Sequence, residues 1–418
     1  MTGRRLVVCF DGTWNDPDKG AKPTNVVKMV RAVRAITQDG VSQVVFYDKG
    51  VGTAGGTDAL FGGAFGAGLL TNVIDGYRFL ANNYEDGDEI YVFGFSRGAF
   101  TARSLAGLIG LGGLLHPAKL GGGLRELVDV YKDETLDATG KRVKADGLKI
   151  GPRHRVRIAC VGVWDTVGSL GVPGDIGNTF KKKKYYFHDV QLGADVDVAL
   201  HAAAIDEKRG PFAPTLWVSK DGRPTRDDQT VEQVWFSGVH SNVGGSYADA
   251  TLSDIAFDWM VQRVTAHTKL DLDWQPSDAT ASRNAGGIGI DSRTWMYTVS
   301  RGFPYQRVIN GHIPPGQGFG GWFRKTFPKF DRRNIPPNGL KTINEALHVS
   351  AIDRWKLDSV PHDCRDPNAS TVVPYRPVNL AAALAQSRDA GRIPVIGWDG
   401  RRLSEGEAVA IWPAGPYA

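Results

Sequence analysis

Cysteine is scarce in this chain: Cys9, Cys160 and Cys364 are the three in 418 residues. The number is odd and no pair has metal-ligand spacing. That argues against a disulfide framework and fits synthesis in a reducing compartment. Long apolar runs are missing as well. The N-terminal run ending at Phe10 is too short for a signal peptide and stops at the acidic Asp11. The most apolar internal stretch, residues 59–70, spans 12 positions, whereas a bilayer-crossing helix needs about 20; it reads as the Gly-rich start of a buried helix or, alternatively, as a lipid-facing entrance element. We therefore expect a protein that stays in the cytoplasm or is exported without a signal peptide. A strong charge excess is absent too. The formal net charge is +5, and no recognisable nucleic-acid module accompanies it, so nucleic acid is not an expected partner. The single strong basic run, Lys181 to Lys184, reads as a solvated loop or as contact with an anionic surface. The 52 glycines follow no fixed period, which excludes collagen-like and solenoid folds.

What is present is an alternation of short apolar runs and helical periodicities. Arg4 to Phe10, Val44 to Tyr47, Glu89 to Phe93, Arg155 to Trp164 and Val234 to Phe236 read as strands. Val26, Val27, Val30, Val33 and Ile36 have helical spacing, as do Val73, Tyr77 and Leu80, the residues after Ser96, and Leu252 to Val264. Val198 to Ile205, rich in alanine, also reads as a helix. The alternation predicts an α/β fold, a mostly parallel sheet with helices on both faces. Residues 112–154 look like an insertion. A catalytic core is expected over 1–265 and a C-terminal extension, cap or small second domain over 266–418, where no confident core strand is visible.

The strongest chemical signal is Gly94-Phe95-Ser96-Arg97-Gly98, entered from an apolar strand and left by a helix. That context marks a nucleophile elbow. The glycines two residues either side of Ser96 relieve clashes with the adjoining strand and helix, and the helix N-terminus favours a developing oxyanion. Arg97 N–H is the expected first oxyanion donor. The competing reading makes Ser96 a simple helix cap. Serine needs a base held by a carboxylate. Of the nine histidines, His240 is preferred, because it lies on a Gly-flanked loop past a strand end; His201, His188 and His116 are weaker candidates. Asp165, ending the strand before it, is the preferred acid, with Asp175, Asp206 and Asp249 in reserve. The Ser, Asp, His order matches that of α/β-hydrolases. Asp11-Gly12-Thr13 follows the first strand. In haloacid-dehalogenase-type phosphatases such a turn carries a nucleophilic aspartate two residues before the Asp-Gly-Thr aspartate, a place taken here by Cys9. Two readings remain for the turn: a second oxyanion donor from the N–H of Gly12 or Thr13, or a structural turn in which Asp11 satisfies nearby backbone groups.

Taken together, residues 5–15, Gly94 to Ala99, Gly162 to Val167 and Gly238 to Gly245 resemble the type VI secretion phospholipase-effector-like catalytic domain family. Phe187-His188-Asp189 and His201 to Arg209 extend the likeness, which covers about residues 4–265. The resemblance implies an α/β-hydrolase fold with an added cap, lipase or phospholipase activity, and nucleophile, acid and base at Ser96, Asp165 and His240. Many members carry Asp two residues after the histidine; this chain has Asn242.

These residues predict a serine carboxylester hydrolase with no cofactor or metal, and the resemblance implies an ester or phospholipid substrate with transient membrane-surface contact. A soluble small-ester esterase and a non-catalytic binding protein on a hydrolase scaffold are the alternatives. An Arg97 side chain beside the nucleophile either attracts an anionic substrate or packs in a salt bridge. Oligomeric state is not legible.

Overall fold

Phe10 and its neighbours show how the sheet is buried from both sides. In β1 (Arg5–Phe10), Leu6, Val8 and Phe10 join one hydrophobic cluster while Val7 and Cys9 join another. Strand alternation projects successive side chains to opposite faces, so a strand apolar at every position needs cover on both. The cover comes from helices, as a computed structural model of the chain shows. The structure describes residues 3–12, 22–50, 63–167, 191–275, 284–292, 305–312, 334, 336, 339–363, 371–389 and 392–413. Cys364, Asp175, Lys181 to Lys184 and Phe187-His188-Asp189 lie outside them.

Seven further strands complete the sheet: β2 (Gln43–Asp48), β3 (Glu89–Phe95), β4 (Ile158–Trp164), β5 (Val196–Ala204), β6 (Thr230–Phe236), β7 (Glu345–His348) and β8 (Val395–Ile396). Their spatial order is β8-β7-β6-β5-β4-β3-β1-β2, and every pairing is parallel. The chain is an α/β protein with helices on both faces. On one face α2 (Gly63–Asn83) and α3 (Arg97–Gly112) pack over the even residues of β1. On the other, α1 (Asn25–Ala32) and α7 (Thr251–His267) pack over Val7 and Cys9. Cys9 and Cys160 are buried free thiols.

Residues 112–154 hold α4 (Gly122–Lys132) and α5 (Ala138–Asp146), and Leu124, Leu127 and Val128 enter the same core as α2 and α3. Between β6 and α7 lies α6 (His240–Gly244). Beyond residue 265, α8 (Val349–Lys356), α9 (Val378–Asp389) and α10 (Glu405–Ile411) flank β7 and β8.

Two sequence expectations are corrected. Val198 to Ile205 is not a helix: it lies almost entirely in β5, paired with β4 on one side and β6 on the other. Alanine favours helix in isolation, but burial between two neighbouring strands decides the matter here. Second, the region after 265 does contribute core strands, since β7 and β8 extend the main sheet. They are short, 4 and 2 residues, and give no periodic signal. Among the described residues, no helix is long and apolar enough to cross a membrane.

Register places the site. Phe95 pairs with Trp164, and Trp164 with Ala202. The next residues, Ser96 and Asp165, therefore leave adjacent strands side by side at the carboxyl edge. β1 sits between β2 and β3, so the connections leaving it and its neighbour run to opposite sides. This is the switch point at which open α/β sheets form a crevice.

Candidate active site

Ser96 has φ 61° and ψ −121°, a left-handed conformation costly for a residue with a Cβ. It is imposed by the meeting of β3, α3 and β1. A Cβ on Gly98 would lie 2.2 Å from the Phe10 carbonyl oxygen and 2.5 Å from that of Asp11. One on Gly94 would lie 2.4 Å from the Gly98 carbonyl oxygen. Only glycine at both positions lets the turn close this tightly. Ser96 occupies the cap position of α3 but makes no side-chain cap bond. Its hydroxyl lies 2.8 Å from His240 Nε2 instead.

His240 opens α6, just past the end of β6. Its Nδ1 is 2.6 Å from Asp165 Oδ2. Its ring lies 4.6 Å from that of Phe95, and Phe212 meets it edge-on at 4.9 Å. Burial pushes the imidazole below its ordinary pKa, against the Asp165 hydrogen bond and charge, so the ring is neutral at pH 7. With Nδ1–H donating to Asp165, Nε2 is left to accept the Ser96 proton.

Asp165 follows β4 with φ 38° and no solvent exposure. Besides His240, its carboxylate accepts from Ala204 N–H at 2.9 Å and from both terminal nitrogens of Arg307, at 2.5 and 2.9 Å. Burial alone would raise this carboxyl; the Arg307 charge and the His240 and Arg307 hydrogen bonds outweigh it and hold the group well below the usual carboxylate range. A second buried carboxylate, Glu207, accepts from the His240 backbone N–H at 3.3 Å, from Ser292 Oγ at 2.9 Å and from Arg209. The Arg209 guanidinium stacks 3.7 Å above the Phe212 ring.

The structure thus brings Ser96, His240 and Asp165 into one hydrogen-bonded line. The other candidates are elsewhere. His201 is buried in β5, where its Nε2 accepts from Thr166 N–H at 3.2 Å. His116 caps a short 3-10 turn at the surface. Asp206 accepts from Gly238 N–H and the Tyr375 hydroxyl, and Asp249 from Thr251 and Ile288 N–H. Asp11 is buried, and its carboxylate accepts from Gly12 N–H at 2.7 Å, Thr24 Oγ1 at 2.8 Å and the Tyr47 hydroxyl at 2.9 Å. Within this turn the Asp11 carboxylate thus accepts from the Gly12 N–H that the oxyanion reading offers as a donor. Thr13 lies outside the described residues. Arg97 is half-buried at the first position of α3, and burial pushes its guanidinium down to about 10. Asn242 closes its own turn: Oδ1 accepts from Val239 N–H and Nδ2 donates to the Ile288 carbonyl. A cavity of about 180 Å³ between α3, α5 and β5, lined by Arg103, Lys141 and Trp217, contains none of the three aligned residues.

With that geometry in hand, comparison with known proteins is decisive at the family level. The family model described as T6SS, phospholipase effector Tle1-like, catalytic domain matches residues 4–263. The chain belongs to this family. A curated relative, an uncharacterized protein of Saccharomyces cerevisiae, is 30% identical over 238 residues, which is 50% of this chain and 32% of the relative. The chain thus spans about a third of that relative's length. Two solved structures are similar. One is an uncharacterized protein from Pseudomonas aeruginosa, 19% identical, TM-score 0.38, covering 67% of this chain and 48% of that one. The other is a Tle1 effector bound to the VgrG spike of the type 6 secretion system, 15% identical, TM-score 0.36, covering 59% and 52%.

Sequence reasoning missed Arg307, Glu207 and Phe212. Glu207 lay within the His201 to Arg209 segment noted for its family likeness. Arg307 carried no signal: it stands outside the matched segment, in a stretch without periodicity.

Proposed function

We propose that this protein is a carboxylester hydrolase acting on lipids through an acyl-enzyme on Ser96. The observation that carries the reading is the unbroken line from Ser96 Oγ through the neutral His240 ring to the Asp165 carboxylate. His240 Nε2 takes the hydroxyl proton as Oγ bonds to the ester carbonyl carbon. The resulting imidazolium is stabilised by Asp165 and gives its proton to the departing alcohol as the C–O bond breaks. Water, deprotonated by the same Nε2, then releases the acyl group and restores Ser96. Arg97 N–H, at the N-terminus of α3 where the helix dipole favours negative charge, stabilises the oxyanion, at about 3 kcal/mol per donor. The loop after β1 abuts Gly98 and is the proposed source of a second donor. The line calls on no metal or cofactor, because nucleophile, base, acid and oxyanion donor are all side-chain or backbone groups.

Membership of a phospholipase-effector family supports a lipid ester as substrate, and turnover then requires transient contact with a lipid surface. The test has two arms. A fluorophosphonate should label the wild type and not Ser96→Ala; an unlabelled wild type would leave a binding protein on a hydrolase scaffold. Mixed phospholipid vesicles should yield lysophospholipid and free fatty acid, read by mass spectrometry, with the wild type only. Hydrolysis of small soluble esters alongside untouched vesicles would point to the esterase reading instead.

A further inference from the structure

We infer that Arg307, supplied by the chain beyond the segment that matches the family's catalytic domain, is a positioning residue of the active site, so that the matched segment is incomplete as a catalyst without it. The inference rests on the hydrolase reading above. The Arg307 and Asp165 side chains are both fully buried. The guanidinium fork meets both carboxylate oxygens, and the same two nitrogens donate to the Ala204 and Phe212 carbonyls at 2.7 Å each. Two bonds to the carbonyls fix the guanidinium, and its two bonds to Oδ1 and Oδ2 set the rotation of the Asp165 carboxylate that aims Oδ2 at His240 Nδ1. The same group anchors Phe212, whose ring packs against the imidazole in a T-shaped contact. Arginine suits this task because its fork matches a carboxylate in two places at once. It thereby ties three parts of the site together: the acid, the end of β5 and one wall of the base.

A purely architectural role would merely pin the 305–312 segment to the sheet. The two roles differ in electrostatics. The charged groups facing His240 are Asp165, Glu207 and Arg209; Asp165 also faces Arg307, and the neutral His201 ring lies nearby with Arg103 behind it. Arg307 neutralises Asp165, so it weakens the pull of that carboxylate on the imidazolium. Removing the cation favours protonated His240, and the acidic limb of the activity profile moves to higher pH.

The experiment measures fluorophosphonate inactivation rate against pH on the full chain, for wild type, Ser96→Ala, Arg307→Met and Arg307→Lys, with Tm recorded for each. Arg307→Met should lower the plateau rate about 100-fold, the cost of a misplacement near 1 Å. Its acidic midpoint should rise by about one pH unit. Arg307→Lys keeps the charge and loses the fork, so it should return the midpoint to the wild-type value while recovering only part of the rate. An Arg307→Met protein with a lowered Tm but wild-type rate and midpoint would overturn the positioning role alone. So would an Arg307→Lys protein at the full wild-type rate, a result that stands even if the Met variant does not fold. A wild type that is not labelled removes the hydrolase reading and this role with it.

Discussion

Asp165→Asn changes one atom and almost no volume, yet it should cost the protein twice. Four N–H groups converge on the two carboxylate oxygens: Ala204 N and Arg307 Nη1 on Oδ1, His240 Nδ1 and Arg307 Nη2 on Oδ2. An amide offers one accepting oxygen, so its NH2 faces two donors whichever way it is turned. Turned toward His240, it forces the ring proton onto Nε2, which then cannot take the Ser96 proton. A wrong tautomer of this kind lowers kcat about 10⁴-fold. The other cost is structural. Arg307 keeps its charge in a fully buried place with its counter-ion gone, and breaking one side of a buried pair costs about 3–5 kcal/mol. Unfolding entropy near 2.1 cal/mol/K per residue, over 418 residues, turns that into a Tm lower by about 3–6 °C. The assay pairs hydrolysis of a chromogenic ester with thermal melting. Adding Arg307→Met to Asp165→Asn should return much of the lost Tm, since no unpaired charge remains, and none of the activity. Asp165→Asn with a kcat within about tenfold of wild type, well short of the expected loss, would refute the acid's role. An unchanged Tm would refute the buried pair as described.

Two further outcomes follow from the same structure. Acidification should destabilise the fold through His201 and His348, both buried and held near 3, mainly by burial. Their folded values lie below the unfolded 6.5, so the unfolded chain binds protons that the native one refuses. Their stabilising share is whole above about pH 6.5 and lost as pH falls toward 3, about 2 kcal/mol per ring between pH 7 and 5. His201→Gln should therefore shrink the Tm difference between those two pH values by about 2 °C; an unchanged difference contradicts the assignment. Gly98→Ala drives a methyl into the Phe10 and Asp11 carbonyls, and should cost about 1–3 kcal/mol in stability and about 100-fold in kcat by displacing the elbow. Activity close to wild type would show that the turn yields more readily than the contacts imply.

Legibility followed locality. The elbow could be read because strand, turn and helix are contiguous, and the glycine spacing is a direct consequence of the close approach at Gly94 and Gly98. His240 and Asp165 could be nominated because each ends an apolar strand, and strand ends gather at one edge of a parallel sheet. The turn at Asp11 showed its limits: Asp-Gly-Thr fits either an oxyanion donor or a self-satisfied turn, and the Gly12 hydrogen bond to Asp11 came only with the fold. Val198 to Ile205 was misread because alanine carries a helix propensity that neighbouring strands override.

The amino-acid order alone determined the layered architecture and the kinds of group at each strand end, because burial periodicity and turn chemistry are local properties. Tertiary structure decided the rest. It set the register that makes Ser96 and Asp165 neighbours. It added β7 and β8 to the sheet, strands too short to announce themselves. It brought Arg307 across 142 positions to the Asp165 carboxylate. Such a contact leaves no trace in any window of sequence, since its partners are chosen by the packing of distant segments and not by the residues beside them.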